Sequence, residues 1–337
     1  MTWSELRKEA GFTRSVLARR PFDLLLQVTN RCNMSCSFCD FWPNGAAAEE
    51  ELSLDELRRL ATELADLGTC VVSIEGGEPF VRPDLVEIVR AFARDHLPVL
   101  YTNGWYVTDE NARALFAAGL TQVGVSIDYP DARHDAKRRW PGAAQRAWEA
   151  VDRLRAAAPH GGRQVHVMTV LMQDNASDIE RLLQESARHD VGHVVTLLSR
   201  DGYRRGKGVD ALPAPGIGRA LLPLWERYPH WRFFREYLER LDDFLGDGDL
   251  PACQAGAQAF NVDHVGNVAV CIERIDEPVG NVREAPLREL HARLRGRGET
   301  VAACQACWTA CRGFGQHLSG GAAWSSWRDL ASRMRSR

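Results

Sequence analysis

Three cysteines in one short stretch have the type and spacing to hold an iron–sulfur cluster. Cys32, Cys36 and Cys39 lie in TNRCNMSCSFCDFW, in a C-x3-C-x2-C pattern that directly follows an apolar run. A mononuclear zinc site needs a fourth ligand, and the adjacent Asp40 is awkwardly positioned to converge with Cys39. A 4Fe–4S cluster can instead leave one iron open to a substrate. The motifs at the ends of the other strands, described below, favour the cluster over a zinc knuckle.

A second group of cysteines lies in the last third of the chain. Cys253 is followed by twelve residues, Gly266, four further residues and Cys271, which predicts a hairpin with a thiol at each end. The run CQACWTAC adds Cys304, Cys307 and Cys311. From spacing alone, four cysteines in two pairs fit a structural zinc site about as well as a cluster.

The sequence predicts a sheet whose strands alternate with helices, and this sheet would position the first cysteine group. Short β-branched runs, which begin at Leu24, Cys70, Leu97, Gln122, Gln164 and His193, alternate with amphipathic patterns. Ser53 with Glu56, and Ser177 with Glu180, read as capping boxes that begin two of the helices. Apolar strands separated by helices predict an α/β fold with a parallel sheet. Six units are two fewer than a closed eightfold barrel, so we expect an open, partial (β/α)6 barrel of the TIM type.

Polar and glycine-rich motifs stand at the ends of these strands, where barrel enzymes carry their chemistry. They are Glu75-Gly76-Gly77-Glu78-Pro79, Thr102-Asn103-Gly104, Ser126-Ile127-Asp128, Asn175 and Arg200. Together with the cysteine spacing, they resemble the radical S-adenosylmethionine (SAM) superfamily, whose signature is a three-cysteine loop after the first strand of a partial barrel. The resemblance covers about residues 22 to 200.

The resemblance implies a 4Fe–4S cluster on the three cysteines, with SAM bound at its open iron. Phe38 would lie near the adenine, and the Gly-Gly-Glu-Pro motif would receive the methionine amino group. The implied SAM contacts are Phe38, Gly76, Gly77, Glu78, Pro79, Asn103, Ser126, Asp128, Asn175 and Arg200. For Ser126 and Asp128 a helix cap is the alternative, and for Asn175 and Arg200 a structural role competes evenly. No side chain is given a catalytic role, because the 5′-deoxyadenosyl radical removes the hydrogen.

The second cysteine group looks like the opening of SPASM and twitch domains, which append auxiliary iron–sulfur clusters to such barrels. A full SPASM domain carries a longer series of cysteines, so this chain favours the shorter twitch form with one auxiliary 4Fe–4S cluster. The implied ligands are Cys253, Cys271, Cys304 and Cys307, with Cys311 as a substitute or a spare. Behind a radical SAM barrel, the cluster is preferred to zinc.

Two substrate classes follow from the resemblance. One is oxidation or rearrangement of a small molecule, such as a natural product, cofactor or lipid. The other is cross-linking or oxidation of a peptide side chain. The cysteine loop begins at Cys32, which leaves no room for a leader-binding domain and favours the small substrate. A flavodoxin- or ferredoxin-type protein would supply the electron. A non-catalytic iron–sulfur or zinc protein is a distant alternative, since it would not need the strand-end motifs.

Composition sets wider limits on a chain of 337 residues. The formal net charge of −3 argues against a nucleic-acid partner, and no apolar run is long enough for a transmembrane segment. The N-terminus lacks a secretion signal, so we expect a cytoplasmic protein. Cys70 reads as a small buried hydrophobe. The predicted divisions are an N-terminal helical extension (1–21), the barrel (22–208), an aromatic-rich helical connector (209–250), the auxiliary cluster domain (251–320) and a C-terminal helix or tail (321–337).

Overall fold

Six parallel strands form the framework of the protein. The structure, a computed structural model, describes residues 3–199 and 211–319, so Arg200 and the predicted tail at 321–337 lie outside the described residues. The six strands are β1 (Asp23–Thr29), β2 (Val71–Gly76), β3 (Leu97–Thr102), β4 (Gln122–Ser126), β5 (Val165–Leu171) and β6 (Gly192–Leu197). Each pairs in parallel with the next, as the sequence predicts.

Helices separate these strands and cover the outside of the curved sheet. They are α2 (Leu54–Leu67), α3 (Leu85–Ala93), α4 (Asp109–Ala117), α5 (Arg133–Arg138), α6 (Ala143–Ala157) and α7 (Ile179–Arg188). Side chains alternate along a strand, so Leu24, Leu26 and Val28 of β1 pack outward in the buried core that the helices complete. The odd-numbered residues of β1 therefore face the interior of the barrel.

The sheet continues past β1 into the cysteine-bearing C-terminal part. Its order is β6-β5-β4-β3-β2-β1-β7-β8-β9. The added strands are β7 (Ala259–Val262), β8 (Asn267–Ala269) and β9 (Gly280–Asn281). β7 runs parallel to β1 and forms an antiparallel hairpin with β8, with Gly266 in the turn at φ +93°, so the predicted hairpin is confirmed. By pairing with β1, the hairpin satisfies backbone groups that an open sheet edge would leave exposed.

An aromatic-rich segment covers the side of the barrel beyond β6. The remaining helices are α1 (Trp3–Leu17), α8 (Ile217–Arg227), α9 (Arg235–Glu239), α10 (Leu241–Leu245), α11 (Leu287–Arg295), α12 (Gly298–Ala302) and α13 (Ala310–Ser319). Tyr237 and Trp308 are fully buried there, with stacked rings 5.8 Å apart. The backbone of His193 in β6 bonds His230 and Arg232, which extends the sheet edge by a short bridge. In the part of the chain that the structure describes, no helix is both long and apolar enough to cross a membrane.

The two predicted capping boxes have different outcomes. At α2, Ser53 Oγ accepts a hydrogen bond from Glu56 N at 3.3 Å and Ser53 N donates to Glu56 Oε2 at 2.8 Å, so this box is confirmed. The box at Ser177 is wrong, since α7 begins after Asp178 with no capping side chain. Asp178 instead accepts a hydrogen bond from Arg133 at 2.9 Å, and Ser177 lies in the preceding 3-10 turn.

We predict that Ser53→Ala lowers the free energy of unfolding by about 1 kcal/mol, because it leaves a backbone donor of α2 without its acceptor. Ser177→Ala is the matched control and should change the unfolding midpoint in urea very little. Equal effects from the two substitutions would contradict the capping assignment.

Candidate functional site

The first three cysteines border one cavity of about 510 Å³ inside the barrel. They lie on an irregular loop at the carboxyl end of β1, with Cys36 buried and Cys32 and Cys39 partly buried. Cys32 Sγ accepts a hydrogen bond from Met34 N at 3.4 Å, and Cys39 N donates to Cys36 O at 3.3 Å. The three thiols that the sequence singles out therefore all border the same cavity.

A buried carboxylate fixes the start of this loop. Glu51 has a side chain only 1% exposed and accepts hydrogen bonds from Arg31 Nε at 3.0 Å and Arg31 Nη2 at 2.9 Å. Thr29 Oγ1 donates to the same carboxylate at 2.5 Å, and Arg82 Nη1 lies 3.6 Å from it. Removing one member of such a buried group leaves an uncompensated charge, so the loop depends on all of them.

Two glycines let the end of β2 lie directly against the cysteine loop. Gly77 N donates to Thr29 O at 2.8 Å, and Glu78 N donates to Arg31 O at 2.9 Å. A β-carbon at Gly77 would lie 2.2 Å from Arg31 O, and one at Gly76 would lie 1.9 Å from Thr29 O. Both glycines also border the cavity, so close approach to the loop and access to a ligand occur at the same residues.

Glu78 does not lie on the cavity wall. Its side chain is fully buried, and it accepts hydrogen bonds from Thr102 Oγ1 at 2.8 Å, Phe80 N at 3.1 Å and Asn103 N at 2.7 Å. Burial raises the pKa of this carboxyl to about 7 in spite of these bonds. The sequence predicts that Glu78 faces SAM, but the structure, with Pro79 also buried, uses it to hold the turn after β3. Asn103 is thereby fixed at the cavity, where its Nδ2 donates to Asn33 Oδ1 at 2.9 Å.

The predicted SAM contacts at the ends of β4 and β5 do not all reach the cavity. Ser126 borders the cavity, whereas Asp128 is fully buried behind it. The carboxylate of Asp128 accepts hydrogen bonds from Arg138 Nη2 at 2.6 Å and Val170 N at 3.0 Å. Asn175 is also fully buried, and its amide donates to Asp128 O at 3.0 Å and Val170 O at 2.8 Å. Asp128 and Asn175 therefore hold strand ends and a cation rather than presenting polar atoms to the cavity.

Arg138 is a cavity residue that sequence reasoning did not identify. Its guanidinium is 7% exposed, pairs with Asp128 and lies 5.4 Å from the centre of the Phe38 ring, which also borders the cavity. Burial alone would lower the pKa of Arg138, but Asp128 and the Cys36 thiol raise it above its usual value. Nothing in the sequence distinguishes Arg138 from its basic neighbours Lys137 and Arg139.

His134 packs against the turn after β4 that contains Asp128. Its Nδ1 accepts a hydrogen bond from Asp128 N at 3.2 Å, which requires that nitrogen to be unprotonated. Burial lowers the pKa of His134 to about 4, and the nearby charge of Arg138 acts in the same direction. The residue therefore supports the turn that fixes Asp128.

The second cysteine group borders a separate cavity of about 430 Å³, which is lined in part by Cys253, Cys271, Cys304, Cys307 and Cys311. Arg274 and Arg312 border it too. Arg312 is 8% exposed and donates to Cys307 O at 3.0 Å, while its buried Nε has no hydrogen-bond partner among the described residues. Within residues 3–199 and 211–319, no three His, Cys, Asp or Glu side chains are arranged around a single metal ion.

A small apolar cluster lies between the two cysteine groups. It consists of Leu25, Phe41, Ala269, Ile272 and Ile275, and both Cys39 and Cys311 pack against it. Cys311 borders both cavities. The two groups of thiols therefore approach each other through one apolar wall, and Cys311 is the member of the second group nearest to the barrel interior.

Comparison with known proteins points to one family. The family model of the radical SAM superfamily matches residues 26–185. A protein named AdoMet-dependent heme synthase from Nitratidesulfovibrio vulgaris is 27% identical over 330 residues, which cover 87% of this chain and 88% of that protein. Another of the same name, from Oleidesulfovibrio alaskensis, is 31% identical over 288 residues, covering 78% of this chain and 72% of that protein. The solved structure of native anSMEcpe with bound AdoMet shares the fold, with a TM-score of 0.64 and 16% identity over 93% of this chain and 97% of that one.

We predict that Gly77→Ala lowers the free energy of unfolding by roughly 1–3 kcal/mol, because the added methyl overlaps the backbone of the cysteine loop. Gly298→Ala is the matched control, since a β-carbon there would meet no atom within 4 Å. Urea unfolding of both variants checks the difference. A Gly77→Ala protein as stable as the control would show that the loop tolerates displacement.

We predict that His134 makes the protein less stable in acid. Its folded pKa of about 4 lies below the unfolded value of about 6.5, so the unfolded state binds more protons as the pH falls. The stabilisation is present above the unfolded pKa and is lost as the pH falls toward the folded one, by about 2 kcal/mol between pH 7 and pH 5. Urea unfolding at both pH values should show a correspondingly smaller loss in His134→Gln than in wild type; equal losses would exclude this role.

Proposed function

Because this chain belongs to the radical SAM superfamily, we propose that it is an enzyme that holds a 4Fe–4S cluster and SAM in the larger cavity and oxidises or rearranges a small molecule there. The observation that carries this proposal is that the three cysteines, Gly76, Gly77 and Ser126 border the same cavity. The parallel strands bring these groups, which are far apart in sequence, to the carboxyl ends of the sheet, where barrel enzymes bind their ligands.

The donor set at the first cysteine loop fits a cluster. Three thiolates are the ligand set of a cubane cluster with one iron left for another ligand. Burial, with the charge of Glu78, raises the pKa of the Cys32 thiol to about 12. We therefore expect this thiol to lose its proton when it binds a metal centre. We propose Cys32, Cys36 and Cys39 as the ligands.

The SAM contacts we propose are the residues on the cavity wall. These are Phe38, Gly76, Gly77, Asn103 and Ser126. Glu78, Pro79, Asp128 and Asn175 act through them, since they fix the strand ends on which the wall residues lie. Arg138 adds a buried cation beside the ring of Phe38, where it can attract an anionic group of the ligand.

When bound, the cluster and SAM supply one-electron cleavage of SAM to a 5′-deoxyadenosyl radical, which removes a hydrogen from an unactivated carbon of the substrate. The protein's own contribution is to orient the substrate and to exclude water. Apolar side chains on the cavity wall serve that purpose: Val71, Val99, Met168, Val170 and Val194. We infer that a flavodoxin- or ferredoxin-type protein delivers the electron.

We also propose that the C-terminal part is a twitch-type unit with an auxiliary 4Fe–4S cluster. Cys253, Cys271, Cys304 and Cys307 are the proposed ligands, with Cys311 as a substitute or a spare. Arg274 and Arg312 beside the second cavity would offset the negative charge of a thiolate-ligated cluster, and the unpartnered Nε of Arg312 supports an anionic occupant. A cluster there could accept an electron from the substrate through the apolar wall, so the product would be oxidised by two electrons.

A small molecule is the substrate class that we favour. The cavity lies inside the barrel and has a volume of about 510 Å³, in the range of small-ligand sites. The two relatives named as heme synthases, by that name, make a small molecule. If a peptide, but no small molecule, increased the rate of SAM cleavage, the substrate would instead be a peptide.

We predict eight iron atoms and eight sulfides per chain after anaerobic reconstitution, and slow cleavage of SAM to 5′-deoxyadenosine by the reduced protein. Changing Cys32, Cys36 and Cys39 together to alanine should remove half of the iron and abolish the cleavage. Cys70→Ala is the control for cysteine removal, since Cys70 is fully buried in the core of the sheet and should leave the iron content unchanged.

The other outcomes separate the parts of this proposal. One equivalent of zinc with only four irons would exclude the auxiliary cluster, while the barrel assignment would remain. S-adenosylhomocysteine as the only product from SAM would exclude radical chemistry. An unchanged iron content and spectrum in Cys311→Ala would identify Cys311 as the spare thiol.

A further inference from the structure

The cavity extends well below the cysteine loop and contains polar side chains that the proposed function does not use. Asp23, Glu75, Tyr101 and His166 all border it. They come from β1, β2, β3 and β5, so they surround the interior of the barrel rather than forming a local turn. Their chemistry bears on which substrate the cavity accepts.

Two of these groups are carboxylates on neighbouring strands. Asp23 begins β1 beside Val71, and Glu75 lies toward the end of β2 beside Gln27. Asp23 is 3% exposed, and its Oδ1 has no hydrogen-bond partner among the described residues. Burial, and after it the charge of Glu75, raises the pKa of Asp23 to about 7. A buried carboxyl without a partner is costly, so its retention in a ligand cavity indicates a ligand that pairs with it.

A second, independent feature lies across the cavity. His166 is 3% exposed, and neither of its ring nitrogens has a hydrogen-bond partner within the described residues. Tyr101, Gly124 and His166 are register neighbours on three adjacent strands, and the two rings meet edge to face with centres 6.0 Å apart. A β-carbon at Gly124 would lie 2.7 Å from His166 Nε2 and 2.8 Å from Tyr101 Cδ1, so only glycine allows this arrangement.

The cations of the cavity lie on the opposite side from the carboxylates. Arg232 donates to Gly162 O at 2.5 Å and Arg163 O at 2.7 Å, and its side chain covers Gly192 at the start of β6. Burial lowers the pKa of the His166 ring to about 3, and the charge of Arg232 adds to this effect, so the ring is neutral. The interior is therefore negative beside β1 and β2 and positive beside β5 and β6.

We propose that Asp23, reinforced by the negative charge of Glu75, binds a positively charged amine of the substrate, with Tyr101 contacting its apolar part and neutral His166 offering a further hydrogen bond. The inference rests on the proposed function in one respect, since it takes the larger cavity as the substrate site. An ammonium group would pair with Asp23 at the start of β1, while Glu75, four residues farther along the paired strands, adds negative charge on the side toward the SAM end of the cavity. The apolar side chains between these two levels would cover the carbon chain. The substrate class is thus an amine-bearing small molecule.

The test uses reconstituted full-length protein with SAM and a matched set of probes. 2-Phenylethylammonium carries the charge, 2-phenylethanol is its neutral counterpart, and 3-phenylpropanoate is anionic. Calorimetric titration should show the ammonium binding about tenfold or more tightly than the alcohol, because a hydrogen bond to a charged group is worth more than a neutral one. Asp23→Asn should remove that preference and Glu75→Gln should weaken it, while Asp55→Asn, on the exposed face of α2, should retain it.

Several results would overturn the inference. These are equal binding of the ammonium and the alcohol to wild type, tighter binding of the anion, or an unchanged ammonium preference in both Asp23→Asn and Glu75→Gln. Thermal unfolding checks the fold of the variants, and Asp23→Asn should not lower the midpoint because it removes a buried carboxyl without a partner. If a variant fails to fold, the comparison of probes on wild type still decides.

The same wild-type preparation separates this inference from the proposed function. Cleavage of SAM without discrimination between the probes would refute amine recognition alone. Discrimination between the probes without any cleavage of SAM would refute the radical chemistry and leave the amine site standing.

Discussion

The close backbone contact between the end of β2 and the cysteine loop is the constraint on which the rest of the site depends. The loop after β1 has no regular structure to hold three thiols in place, so its position must come from outside it. Gly76 and Gly77 supply that position because a side chain at either residue would overlap the loop backbone. The buried pair of Arg31 and Glu51 then fixes the start of the loop from the other side.

From this contact, buried polar side chains connect the strand ends around the barrel. Glu78 follows the two glycines and bonds the turn after β3, which brings Asn103 to the cavity. On the far side, Asp128 bonds the end of β5 and holds Arg138, whose charge lies beside Cys36. The carboxylates that sequence patterns indicate as ligand contacts thus act one layer behind the cavity wall. Because these hydrogen-bonded groups are buried, water cannot replace their partners. A displacement at one strand end would therefore be transmitted to the next.

The sequence predicts the framework of this protein better than the orientation of its polar side chains. Strands and the α2 cap follow from local patterns, because apolar periodicity and a capping box involve residues only a few positions apart. Whether Glu78 or Asp128 faces the ligand depends on donors such as Thr102 and Arg138, which come from other elements. A carboxylate at a strand end has the same sequence signal in either case. Asp23 and His166 give even less signal, since each lies inside a largely apolar strand and belongs to no recognisable motif.

The continuation of the sheet into β7 and β8 joins the two cysteine groups mechanically. β1 carries the first group at its end and is paired with β2 on one side and β7 on the other, so it cannot shift without disturbing both. Leu25 of β1 contributes to the apolar cluster against which Cys39 and Cys311 pack. Ligation at the second group would restrain β7, β8 and this cluster, and with them the wall of the larger cavity. A structural role and an electron-accepting role for the C-terminal part are therefore not exclusive, because the same short apolar contact that brings the thiols close also stiffens the strand on which the first cysteine loop depends.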